Sequence, residues 1–292
     1  MSPGAPLLLA ILFAALLHAS WNALIKSGTD KSLDTALICS LGLVFAVPAV
    51  IWFGWPDAAA WPYIAASSVI HIAYYVALAG AYRYGDLGLT YPVMRGSAPL
   101  LVALIGAGLV GEHLAVQAWV GVFVISAGVL LVGLARSAGA SNGQNANNHR
   151  GKALGFALGN ACIIACYTVI DGLGVRTTGN AFAYAAAIFF FDGFLYTALV
   201  LWRAGPERKR AVAYMLSRAK VGLGGAAASL GSYTIALWAM THAQVALVAA
   251  LRETSVIFAA VIGTLWLGER FGWSRAAGTA LVVAGVMTLR FS

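Results

Sequence analysis

Ten runs of about 20 apolar residues recur along the chain, and that recurrence fixes its solvent. They cover residues 7–25, 35–55, 62–82, 87–110, 115–135, 153–173, 182–202, 221–240, 245–267 and 273–289. A bilayer core about 30 Å thick is crossed by about 20 residues of helix. In hydrocarbon every backbone N–H and C=O must be satisfied within the segment or its neighbours. Turn or charge signals close the runs, among them residues 26–34, 55–61, 83–86, 111–113, 174–180, 203–220 and 268–270. Composition agrees: 61% of the 292 residues are hydrophobic and 10% charged, against roughly 25% charged in soluble domains. A disordered chain, a coiled coil and a soluble enzyme are excluded. The first run lacks a basic leader and is too long for a signal-peptide core, so it reads as a span. The expected fold is an all-α integral membrane protein with ten transmembrane helices.

Residues 137–150 (SAGASNGQNANNHR) are polar and rich in Asn and Gly, the composition of a flexible linker. They separate residues 1–136 from residues 151–292, with five runs on each side. The two sides match. A shift of 157 positions carries Arg95 onto Arg252, Gly106 onto Gly263, Gly111-Glu112 onto Gly268-Glu269, and Gly121 and Gly128 onto Gly278 and Gly285. A unit with an odd number of spans re-enters the membrane from the opposite side when repeated. The halves therefore read as an inverted-topology repeat, the architecture of many alternating-access carriers, with the binding site near the midplane between them.

Net charge is +8, from 18 Lys and Arg against 10 Asp and Glu. Fourteen of the 18 basic residues fall on one face of the ten-span layout; only Arg176 and Arg290 fall on the other, with Arg95 and Arg252 inside spans. The excess places that face in the cytoplasm and both termini outside. The cluster Arg208-Lys209-Arg210 abuts a span and reads as a topology or lipid-headgroup signal, so no nucleic-acid partner is expected. No cofactor or metal is expected. There is no phosphate-cradling G-x-x-x-x-G-K-[ST], no H-E-x-x-H and no G-x-S-x-G, and an enzyme is not expected. Cys39, Cys162 and Cys166 read as small buried residues.

Two repeats with a Gly-Glu pair between their fourth and fifth helices and a Gly-rich fifth helix resemble the EamA-type branch of the drug/metabolite transporter superfamily. The opening His18-Ala19-Ser20-Trp21-Asn22-Ala23-Leu24-Ile25-Lys26 is similar to the first helix of such proteins, and Pro99 sits where they often carry a proline. The resemblance implies a secondary transporter, with the YddG-like amino-acid exporters among the similar members. Export and a bacterial-type inner membrane are implied by it alone. Many relatives are described with both termini in the cytoplasm, the reverse of the charge count here. The small four-helix relatives use a glutamate in the first helix, which this chain lacks.

Charges deep in the membrane are costly, about 2.5–3.5 kcal/mol each on the lenient scale. Arg95 and Arg252 lie about 12 Å into their spans, at 1.5 Å per residue. As repeat mates they are expected to meet in one central space, to bind a substrate carboxylate or to lock helices against Glu253, Asp171 or Asp192. Asp192, Glu253 and His18 are candidates for a coupling proton or an ion pair. Asp171 reads as an interface marker. His71, Tyr75, Tyr91, Tyr167, Asn22 and Trp21 are expected to line a cavity for a ligand with a flat apolar part, against the simpler reading of helix packing or an interfacial aromatic belt. Pro92 and Pro99 are hinge candidates. The paired glycines are expected to pin the fifth helix to the tenth. The expected function is export of a small metabolite, most plausibly an amino acid, by a monomeric carrier. The alternatives are a drug, a phosphorylated or nucleotide-sugar-type substrate, an embedded enzyme or a channel.

Overall fold

The computed structural model describes residues 4–84, 87–137, 144–265 and 272–290. The described elements are helical: α1 (Ala5–Ser27), α2 (Lys31–Phe53), α3 (Trp61–Tyr84), α4 (Leu87–Ile105), α5 (Val116–Ser137), α6 (Gln144–Thr178), α7 (Ala181–Arg203), α8 (Arg208–Ser217), α9 (Ala219–Met240), α10 (Val245–Arg252), α11 (Ser255–Leu265) and α12 (Trp273–Arg290). Short polar side chains set some of the starts. Asp30 accepts from the Leu33 N–H at 3.0 Å, and Asn180 accepts from the N–H groups of Phe182 and Ala183 at 3.1 Å.

Among the described residues, six helical segments are long and apolar enough to cross a bilayer: Ala5–Ser27, Lys31–Phe53, Pro92–Val110, Leu154–Thr178, Ala181–Arg203 and Val245–Leu265. Their outward faces are apolar, as lipid requires: Ile51, Leu109 and Leu265 are largely exposed. Trp52 and Trp202 close antiparallel helices at opposite ends, where aromatic rings suit the headgroup zone. The interior is built from small residues, with Ala14, Ala15, Ala161, Ala165, Ala186 and Ala187 essentially inaccessible.

The halves pack by a rule of exchange. α1 lies on α9, and α6 lies on α3. α4 lies on α6, while α10 and α11 lie on α1. α2, α4 and α5 each meet their own counterpart, α7, α10 and α12. The α5–α12 contact is reciprocal to the residue. A methyl at Gly128 would sit 2.7 Å from the Gly278 carbonyl oxygen, and one at Gly278 would sit 2.7 Å from that of Gly128. Gly121 faces the Gly285 carbonyl and Leu289, and Gly285 faces the Gly121 carbonyl and Ile125. Residue numbers fall on one helix as they rise on the other, so the helices are antiparallel. The glycines pin these two helices as the sequence suggested.

Several local expectations need correction. The run at 245–267 is not one helix: it breaks at Glu253-Thr254, between α10 and α11. Its high mean hydropathy conceals the polar triplet Glu253-Thr254-Ser255. The segment 203–220 is not simply a loop, since it carries α8, which tucks Ala211 and Met215 inward. Cys162 and Cys166 are exposed on α6 rather than buried. α6 begins at Gln144, inside the Asn-rich segment. Gly268-Glu269-Arg270 lies outside the described residues.

Gly128→Val is expected to lower thermal stability in detergent by on the order of 1–3 kcal/mol, because it overpacks a backbone contact. Gly159→Ala, where an added methyl meets nothing within 4 Å, should melt like the parent. Equal melting of the two variants would show that the glycine contact carries no weight.

Candidate functional site

The two repeat-mate arginines line one pocket. α4 brings Arg95 and Pro99 to a small pocket, α6 brings Tyr167 and Thr168, and α10 brings Arg252, with Glu253 at the helix break completing the wall. The free space there is small, a cavity of about 10 Å³, room for about one water molecule.

The arginines are held differently. Arg95 forms a two-pronged pair with Glu253: Nη2 to Oε1 at 2.7 Å and Nε to Oε2 at 3.1 Å. Both side chains are buried, 8% and 4% exposed. Charge-assisted, bidentate geometry of this kind is the arrangement that offsets the desolvation of buried ions. Glu253 thus takes its ion-pair partner from α4 rather than from its chain neighbour Arg252. Arg252 is 8% exposed, and its Nε has no hydrogen-bond partner among the described residues. Its guanidinium carbon lies 5.6 Å from the centroid of the Tyr233 ring, a cation–π contact.

A second polar cluster adjoins the pocket. His71 Nδ1 lies 2.6 Å from Asp192 Oδ2, while Asp192 Oδ1 is buried without a partner among the described residues. The His71 ring sits edge-on to Tyr167 at 4.5 Å and to Tyr233 at 6.2 Å. Asp171 is fully buried, so it is no interface marker. It accepts from the Tyr184 hydroxyl at 2.9 Å and from the Tyr233 hydroxyl. Tyr233 therefore bridges Arg252, Asp171 and the face of His71.

Arg95, Arg252, Glu253 and Tyr167 gather in the pocket, and His71 and Asp192 lie beside it. His18 on α1 is within electrostatic reach of both arginines. Its ring meets Trp21 at 5.1 Å, and the Asn22 amide donates to the His18 carbonyl at 2.8 Å. Asn22 is thereby occupied within its own helix and, with Trp21, stands apart from the pocket lining. Tyr75 also points elsewhere: its ring lies 4.1 Å from that of Tyr196, and its hydroxyl is 3.8 Å from Cys39 Sγ. The Tyr91 side chain lies outside the described residues. Pro92 and Pro99 both sit inside α4, and α4 runs on into a wider turn, Gly106–Val110, that ends at Gly111 with φ 72°.

Two features went unread in the sequence. Tyr233 lies in a Gly-rich run with no charge to flag it. The other is a junction at one end of the helices. Arg176 donates to Glu112 at 3.1 Å and to the carbonyls of Met240 and Ala243 at 2.9 Å, while Glu112 accepts from the Val245 N–H at 3.0 Å. The Gly-Glu signal had marked Glu112 as a repeat feature, but not as the partner that starts α10.

Comparison with known proteins places this architecture. The family model of the EamA-like transporter family matches residues 5–134 and again 151–291. The chain belongs to the EamA-like transporter family, as two copies of its unit. A crystal structure of a protein 20% identical to it covers 99% of this chain and 98% of that one, with a TM-score of 0.73; at that identity the likeness speaks for the fold alone. No curated protein matches significantly.

Removing Arg95 strands a buried carboxylate, so Arg95→Ala should cost about 3–5 kcal/mol of stability. Arg252→Ala removes no bond at Nε and should cost less. Replacing Arg95 and Glu253 together by Met should recover part of the loss. Melting of the three variants in detergent checks the order.

Proposed function

We propose that the chain is a ten-span secondary carrier that exports a small carboxylate-bearing metabolite, an amino acid, across a bacterial-type inner membrane by alternating access. One observation carries the reading: Arg252 presents a buried guanidinium with an unpartnered N–H to a pocket shared with its repeat mate. A buried donor without an acceptor is costly, and a ligand carboxylate matches a guanidinium well. The reciprocal, antiparallel packing of α5 on α12 supports inverted repeats. The one-sided excess of Lys and Arg supports termini outside. A single copy suffices for this pocket, so the carrier is read as a monomer.

Within this reading Arg252 receives the carboxylate, Tyr167 and His71 face the apolar part, and Pro92 and Pro99 let α4 bend as access alternates. The His71–Asp192 pair is the candidate for a coupling proton, with His18 a second titratable group near the arginines. A phosphorylated substrate fits less well, because two arginines and Glu253 give the pocket one net positive charge, against a charge of about −1.5 to −2 on a phosphate.

Proteoliposomes loaded with labelled amino acids should show saturable flux and counterflow. Flux of none of them would remove the amino-acid version. Arg252→Gln should abolish flux while melting within a few degrees of the parent, a shift of under about 1 kcal/mol for a chain of this size.

A further inference from the structure

The pocket holds three charged groups, Arg95, Arg252 and Glu253. Glu253 is the unusual one. It is a carboxylate on the chain itself, 4% exposed, seated on Arg95 in the two-pronged geometry that a ligand carboxylate would adopt. Beside it Arg252 Nε lacks an acceptor. The pocket thus has two guanidinium groups and one resident anion.

We propose that Glu253 is an internal stand-in for the substrate's carboxylate, and that its release makes the site specific for zwitterionic α-amino acids. This rests on the carboxylate-carrier reading and goes beyond it by assigning what recognises the ammonium group. In the empty carrier Glu253 occupies Arg95. An arriving carboxylate enters at Arg252 and takes Arg95 from Glu253, spanning the two arginines. Glu253 then needs a new cation inside a nearly dry pocket, and the substrate's α-ammonium supplies it. The site's net charge stays at +1 throughout: two guanidinium groups share one carboxylate, and the other carboxylate meets the ammonium. A simple carboxylic acid of the same shape can pair with Arg252 alone and must forgo Arg95, because taking Arg95 as well would strand Glu253 as an unpaired buried anion. That penalty falls on the wrong ligand and not on the right one. An amino-acid ester fails in the opposite way, because it carries the cation and lacks the anion that displaces Glu253. The helix break at Glu253-Thr254 suits the exchange, since a side chain at the end of α10 can swing without unwinding a continuous helix.

The test is binding by titration calorimetry to the full-length protein in detergent. The probes are L-phenylalanine and L-leucine, each beside its deaminated acid (3-phenylpropanoate, 4-methylpentanoate) and its methyl ester. The parent should bind at least one amino acid about tenfold or more tighter than either analogue. Glu253→Gln, which keeps the shape and removes the charge, should bind the deaminated acid and the amino acid to within about threefold of each other. Glu253→Asp should keep the preference. A Glu253→Gln protein that discriminates like the parent would overturn the proposal and leave the carboxylate reading standing. Binding of the deaminated acid by the parent as tightly as the amino acid would also overturn it, and needs no variant that might misfold. Binding of neither amino acids nor acids would remove the carboxylate reading itself.

Discussion

Helices in a lipid solvent gain little from hiding apolar surface, because the surroundings are as apolar as their neighbours. What holds them together is close contact of small residues and the satisfaction of the few polar groups. The rest of the structure depends on one such contact, the glycine-lined crossing of α5 and α12. Gly121 and Gly128 approach Gly285 and Gly278 so closely that carbonyl oxygens occupy the space side chains would need. Because each residue meets the mate of the other, the crossing defines how one half sits on the second. It is matched at α2–α7 and α4–α10, where counterparts also meet. Once that relation is set, Arg95 in one half and Arg252 in the other come to line the same pocket.

The same relation explains why buried charge is tolerated. Arg95 alone in hydrocarbon would be expensive, and a symmetric mate would double the cost. The structure offsets this with Glu253, with the Tyr233 ring under Arg252, and with hydroxyls on Asp171. None of these groups acts in isolation. Tyr233 contacts Arg252 through its ring and Asp171 through its hydroxyl, while His71 stands against Tyr167 and Asp192. Change at one group therefore bears on several others, and double substitutions are the way to separate them.

Much of this was legible from the chain. Apolar runs and their closing signals anticipated most helices, because burial in lipid demands long uninterrupted segments. The 157-residue offset anticipated the meeting of the arginines and the pairing of the glycines. What escaped were features set by tertiary geometry rather than by local pattern. Tyr75 shares a helical stripe with His71 yet turns toward Cys39 and Tyr196, since four residues along a helix still sweep past a different neighbour. Cys162 and Cys166 lie in an apolar run whose exposed face looks outward, where apolar and buried are no longer synonyms. The break at Glu253 was hidden by the hydrophobicity on either side of it. Asp171 looked peripheral only because the helix was expected to stop at residue 173, five residues before α6 ends.

The position of Glu253 has a further consequence. Under the same 157-residue shift its mate is Gly96, which lets α4 settle on α5: a methyl there would lie 2.8 Å from Leu130. One duplicated position thus serves close packing in the first half and charge in the second. A pocket lying on a perfect twofold axis would offer any ligand two equivalent poses, related by half a turn. With glycine on one side and glutamate on the other, the two poses differ in energy. The pocket has a front and a back, and a molecule whose two ends differ has one preferred direction in it.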